Sequence, residues 1–209
     1  MNYTLHLTTV DTETYSLLQK ISALEVIASK FALAGGTSLA LQIGHRRSID
    51  LDFFSPFEFN TRELEIILST DTSINFQFVN SNSRMLFCYI NNIKCDFICE
   101  PARLIRPFVF YDSVPYFTVE DIAAMKLHTI CGRGKKKDFF DIYALLEIYD
   151  WKDLITLFTK KYNEDQLFFL WRSIIYFEDA DGDPDIQGIK PYDKNWDEIK
   201  KYIRAKCSI

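Results

Sequence analysis

Apolar residues recur at helical spacing from residue 11 to residue 30, where Tyr15, Leu17, Leu18, Ile21, Leu24, Ile27 and Ala28 predict one helix capped by Asp11 or Thr12. The pattern then shortens. Residues 31–36 read as a brief buried strand ending in a turn, and residues 37–44 as a short helix stopped by Gly44. Residues 49–55 read as a second strand closed by Pro56, and 61–69 as a helix capped by Asn60 or Thr61. From residue 74 the chain changes period: 74–79, 84–90 and 93–100 alternate or run apolar as strands, with a hairpin signal at Asn91-Asn92. Beyond them the period is helical again. Thr118 to Asp121 opens a helix ending at Gly132, and further helices are expected over 136–149, 151–162, 164–179 and 196–206. Residues 180–193 form a loop rich in Gly, Pro and Asp.

This order predicts an α+β fold. Residues 1–110 supply a mixed sheet with helices before and between the strands, and residues 111–209 a helical lobe packed on it. Residues 101–117 mark a change of element type with no flexible-linker composition. The chain has 209 residues, enough for a sizeable core, and its 18 Phe and 11 Tyr make that core aromatic. The net charge of -5 excludes a generally basic nucleic-acid binder, so a nucleic-acid partner needs a local basic patch. Five cysteines, odd in number and without framework spacing, read as free thiols of a reducing cytoplasm. Cys95 and Cys99 lack the second ligand pair that a zinc site needs. No signal peptide and no membrane-spanning run is expected.

The chemistry concentrates in residues 33–55. A Gly35-Gly36-Thr37 turn feeding a helix offers backbone N–H groups and a hydroxyl, which suit phosphate oxygens. Asp50 and Asp52, one residue apart on a strand, share a face; two like charges there invite a divalent metal. Asp96 sits in an apolar strand, either bonded to backbone or Lys94, or converging with Asp50 and Asp52 as a third carboxylate. His45, Arg46 and Arg47 follow the helix stop, either capping its carbonyls or meeting phosphate. Further on stand Lys126, Arg133, the lysines 135–137, and Asp138 and Asp141 at i, i+3. They read either as a solvated basic turn with capping aspartates, or as a polyphosphate and RNA-backbone contact. The aspartates of 179–185 lack the Gly and Glu of a calcium loop and read as a solvated loop.

Two separated motifs resemble those of the AbiEii/AbiGii toxin family of nucleotidyltransferases. Gly35, Gly36, Thr37, Leu39, Leu41, Gly44, His45, Arg46, Ser48, Asp50 and Asp52 fall on the first. Gly132, Arg133, Lys137, Asp138 and Asp141, preceded by the helix lysine Lys126, are similar to the second. The resemblance covers residues 30–145 and implies a fold like that of DNA polymerase β, with a helical C-terminal lobe. It implies transfer of a nucleoside monophosphate from a nucleoside triphosphate, with two Mg²⁺ ions on Asp50, Asp52 and Asp96. Gly35, Gly36, Thr37, Arg46 and Ser48 would then serve the nucleotide phosphates, and Asp96 would orient or deprotonate the acceptor. Lys126 would neutralise triphosphate charge, Arg133 would contact the nucleotide, and Asp138 or Asp141 would position the nucleotide or Lys126. A cognate antitoxin and a tRNA acceptor are the partners implied. A small-molecule acceptor, and a catalytically idle binding module, are the competing functions. The missing Gly-Lys-Ser/Thr of a P-loop separates the Gly-Gly-Thr turn from kinase-type cradles.

Overall fold

A computed structural model describes residues 4–207. After a short 3₁₀ turn, α1 (Thr12–Ser22) is capped by Asp11, whose carboxylate accepts the Thr14 N–H. The expected single helix breaks after it. Leu24 is extended and starts a second short helix, α2 (Glu25–Ala28). On one continuous helix Ile21 and Ile27 would point about 120° apart; the break lets both be fully buried. Strand β1 (Ala32–Ala34), helix α3 (Gly35–Ile43) and strand β2 (Leu51–Ser55) follow, with Gly44 closing α3 at φ +73°. Helix α4 (Thr61–Thr70) is capped by Asn60, and β3 (Phe76–Ser81), β4 (Met85–Ile90) and β5 (Ile93–Cys99) complete the alternating region.

A hairpin not expected from sequence comes next, β6 (Val109–Tyr111) and β7 (Val114–Tyr116), turned by Asp112 and Ser113 at φ +47° and +67°. Both turn residues are left-handed, as a tight hairpin requires. Strands of three residues are too short to show alternation, and Pro115 argues against a central strand. Among the described residues, seven strands form one mixed sheet in the order β3-β4-β5-β2-β1-β7-β6, with β2/β5 and β1/β7 parallel and the other pairs antiparallel. The expected boundary at residue 110 therefore falls inside β6, in a hairpin that extends the sheet.

The helical part comprises α5 (Val119–Gly132), α6 (Lys136–Leu146), α7 (Trp151–Lys161), α8 (Leu167–Ser173), α9 (Glu178–Asp181) and α10 (Trp196–Lys206). The single helix expected over 164–179 is instead a 3₁₀ turn, α8 and α9, and Phe168 and Phe169 within its apolar run are exposed. Two hydrophobic clusters follow this layering. One joins α1, α2 and α4 to the sheet through Leu18, Ile21, Phe31, Phe53, Leu64 and Phe97. The other joins α5 to α10 to Ala32, Ala34 and Leu39, so the helical half packs on β1 and α3. A buried pair, Lys161 Nζ to Asp121 Oδ1 at 2.9 Å, ties α7 to α5. Cys88, Cys95, Cys99, Cys131 and Cys207 are all free thiols. No helix among the described residues is long and apolar enough to cross a membrane.

Candidate active site

The sheet register brings the carboxylates together. Asp52 on β2 is paired with Ala34 of β1 on one side and with Asp96 of β5 on the other. Because β2 and β5 are parallel and in register, the two aspartates are neighbours on adjacent strands. Asp50 stands immediately before β2, partly exposed, with Lys137 Nζ 3.7 Å from its Oδ2. Asp96 is buried and ion-paired with Lys94, while its second oxygen, Oδ1, is enclosed without a partner. Burial first, and then the charge of Asp96, push the Asp52 carboxyl up to about 6 against the pull of Lys94 and Lys126. An enclosed unpartnered carboxylate oxygen beside a carboxyl reluctant to ionise is a donor set that a hard divalent cation relieves. Among the described residues, no three side chains of His, Cys, Asp or Glu are already gathered to hold a metal.

Helix α3 begins directly against Asp52. Gly35, at φ +66°, has the Asp52 carboxylate where a Cβ would lie, so only glycine lets the helix start so close to the strand. Ala34 at the N-cap offers no side-chain acceptor, and the positive end of the helix therefore faces this carboxylate. Gly36 is buried behind that turn, with the Arg46 guanidinium on its Cα and Ser48 nearby. Thr37 is fully buried, and its hydroxyl meets the Asp50 carbonyl and the Ser48 Oγ, the latter at 2.8 Å. The expected phosphate hydroxyl is thus engaged inside the fold, where it pins residues 48–50 to the first turn of α3. Gly35 is the residue of this turn that reaches the surface.

Behind the carboxylates lies a closed ionic hub centred on Asp141 of α6. Its Oδ1 accepts from Arg46 Nε at 2.6 Å and His45 Nε2 at 2.7 Å, and its Oδ2 from Arg46 Nη2 at 3.0 Å and Lys126 Nζ at 2.6 Å. Lys126 also donates to Asp138 Oδ1 at 3.0 Å. All five residues are buried. Burial opposes ionisation of Asp141, but Arg46, Lys126 and His45 outweigh it and hold its carboxyl well below the usual range. Burial likewise works against charge on Lys126, and Asp141 and Asp138 overcome it and raise its pKa. Burial lowers the His45 pKa despite Asp141, and the ring donates through Nε2–H to the Asp141 carboxylate. Asp141 and Arg46, expected at the nucleotide, are instead bonded to each other inside the protein. A carboxylate with no exposed surface and four donors has no valence left for a ligand.

A family model described as "Nucleotidyl transferase AbiEii toxin, Type IV TA system" matches residues 16–204. The chain belongs to this family. The AbiEii-family sequence is 32% identical over 193 residues to the uncharacterized protein aq_aa25 of Aquifex aeolicus, with 90% of this chain and 91% of the relative aligned. Its fold is that of MenT4, a nucleotidyltransferase toxin of Mycobacterium tuberculosis, at TM-score 0.56, 14% identity and coverage of 95% of this chain and 85% of that one. It is also that of JHP933 from Helicobacter pylori, at TM-score 0.56, 15% identity and coverage of 95% and 91%. The α+β architecture and the nucleotidyltransferase activity are those of the AbiEii family, a family of type IV toxins.

Within this AbiEii-family site, residues 132–138 divide into separate tasks. Arg133 follows α5 with its side chain exposed, and Lys135 is exposed at the N-cap of α6. Lys137 turns to Asp50 and Asp138 to Lys126. The Lys94 pairing expected as one alternative for Asp96 is present; sequence reasoning missed Lys137 as the counter-ion of Asp50, and His45 as a member of the hub. The usable signal was the number of carboxylates in apolar surroundings, each of which demands a cation. A cavity of about 960 Å³, lined by Lys136, Phe140, Asp185 and Trp196 among others, lies beside α6 and does not include Asp50, Asp52 or Asp96.

Proposed function

We propose that this chain transfers a nucleoside monophosphate from a nucleoside triphosphate to an RNA acceptor, tRNA being the class expected, as a toxin restrained by a cognate antitoxin. The observation that carries this reading is the in-register pairing of Asp52 with Asp96, with Asp50 beside them and the start of α3 against Asp52. Asp50, Asp52 and Asp96 would hold two Mg²⁺ ions. Bound there, they would neutralise charge on the triphosphate and on the attacking and leaving oxygens.

The residues of the chain supply the rest. The start of α3 at Gly35, which reaches the surface, directs helix-terminal N–H groups towards the triphosphate. Asp96 takes the proton of the acceptor hydroxyl; that hydroxyl's oxygen bonds the α-phosphorus, the bond to the β-phosphate breaks, and pyrophosphate leaves. Lys137 offsets charge near Asp50. Lys126 and Asp138 act from behind, through the hub that fixes the 45–50 segment. Arg47, Arg133 and Lys135, all exposed, suit an RNA backbone and give a protein of net charge -5 a local basic rim. Nucleoside triphosphates and RNA as substrates suit a cytoplasmic reaction.

Purified protein supplied with α-labelled nucleoside triphosphates, total RNA and Mg²⁺ tests this. Label is expected in RNA, to vanish with a chelator, and to fall at least about 1,000-fold in Asp52→Ala, as loss of a metal-centred transition-state contact implies. Label confined to small molecules would overturn the RNA acceptor. Full transfer by Asp52→Ala would overturn the site.

A further inference from the structure

Lys136, the first residue of α6, is a buried cation that takes no part in the transfer chemistry, and lysine is rarely enclosed unless all its donors are matched. Here its Nζ donates to the Asp183 carbonyl at 2.6 Å, to Asp185 Oδ1 at 3.0 Å and to the Asp181 carbonyl at 3.5 Å, and lies 5.5 Å from the Trp196 ring. Its backbone N–H donates to Asp183 Oδ2 at 2.9 Å. Residues 181, 183 and 185 thus present oxygens at alternate positions, as cation-binding loops do, and the enclosed cation is a tethered ammonium. The Asp181 carboxylate accepts instead from Trp196 Nε1 at 2.6 Å and Lys200 Nζ at 2.9 Å.

The same strap continues into the site. Gly188 forms a β-bridge with Arg46, and the Ile189 N–H donates to the His45 carbonyl at 2.8 Å. Gly188 also has the Tyr192 carbonyl where a Cβ would be, so the strap lies tightly folded there. One end of the 181–189 strap therefore holds the first residue of α6, and the other holds the backbone of His45 and Arg46. The next residues of α6 are Lys137, beside Asp50, and Asp138, on Lys126. The 45–50 segment carries Asp50 itself.

We propose that Lys136 is a positioning residue for nucleotidyl transfer: clasped by Asp183 and Asp185, it fixes through the 181–189 strap the spacing between the start of α6 and the His45–Asp50 segment. The proposal rests on Asp50 and Asp52 being the catalytic carboxylates. The acidic loop, which reads in sequence as solvent-exposed, becomes a structural arm of the site.

The test compares Lys136→Met, Lys136→Arg and Asp185→Asn in the full chain, with Asn60→Ala as a control that removes the α4 cap away from the site. Asp185 is 91% exposed, so Asp185→Asn keeps the fold even where Lys136→Met does not. Transfer from α-labelled triphosphates to total RNA is expected to fall about 10- to 100-fold in kcat for Lys136→Met, with little change in KM for the triphosphate. Asp185→Asn is expected to fall in the same direction, and Lys136→Arg to recover most of the rate. Asn60→Ala is expected to lower the melting temperature with the rate intact. Amide exchange at Ile189 and Asp138 should speed up in Lys136→Met and Asp185→Asn. Wild-type rates with unchanged protection at both amides would overturn the proposal, as would a rate loss that merely tracks melting temperature. Should Asp52→Ala stay active, the site assignment fails, and protection at Ile189 and Asp138 still decides whether the strap is clasped.

Discussion

Asp52 illustrates a conflict between stability and chemistry at a single side chain. Its carboxyl is pushed up to about 6 by burial and by Asp96, so in the metal-free protein its ionisation opposes folding. The sign follows from proton binding. The folded carboxyl holds its proton more tightly than the unfolded one, so stability is lost as pH rises from about 4 to about 6 and is level above that. A rise of this size corresponds to about 3 kcal/mol for a fully enclosed carboxyl, and to about 1–2 kcal/mol for one that solvent partly reaches, as here. Asp52→Asn should therefore be more stable than wild type in chelator above pH 6, with the difference vanishing near pH 4. Mg²⁺ should reverse the order by stabilising the wild type alone. Urea unfolding of both proteins at pH 4 and pH 7.5, with and without Mg²⁺, measures this; a difference independent of pH and metal would remove Asp52 from the metal site.

At the scale of elements, the site depends on how closely α3 starts against β2. Gly35 combines φ +66° with the absence of a Cβ in the space the Asp52 carboxylate occupies. Gly35→Ala should cost about 1–2 kcal/mol from the left-handed backbone alone. Its larger effect should be on transfer, reduced by about 100-fold or more because the Asp52 carboxylate must move. Gly182→Ala, where φ is -81° and open space surrounds the Cα, should change neither. Labelled-triphosphate transfer and thermal unfolding of the two variants separate these outcomes, and equal behaviour of both would mean that the turn is not a close-approach point. The Gly-Gly turn, the Asp50–Asp52 pair at the start of β2 and the three alternating strands were legible in sequence because each leaves a local pattern. Partners were not. Whether Arg46 meets phosphate or Asp141 is decided 95 residues away in α6, and whether Asp96 meets Asp52 is decided by the β2/β5 register. The β6–β7 hairpin was hidden by its brevity and by Pro115, and the strap by its resemblance to any acidic loop.

At the scale of the molecule, the sheet and the helical half are bound by three kinds of contact that a cut near residue 110 would sever together. The β6–β7 hairpin completes the sheet by parallel pairing of β7 with β1, and Val114 and Tyr116 belong to the core shared with α1 and α2. The opposite face of β1, with Leu39 of α3, is covered by residues of the second cluster drawn from α5 onward. Asp121 at the start of α5 accepts the backbone N–H groups of Ile105 and Arg106 at 3.0 and 3.1 Å, so it also organises the approach to the hairpin. The hub adds a polar tie: without α5 and α6, His45 and Arg46 lose Asp141, and two buried groups are left without their carboxylate. A fragment of residues 1–110 should therefore show no cooperative unfolding transition, and residues 111–209 alone should likewise fail to reach native near-UV dichroism. Mixing the two should restore a transition if these contacts dominate. A cooperative melt from the 1–110 fragment alone would instead make the sheet an independent domain, and would move the energetic boundary back to where the change of hydrophobic period lies.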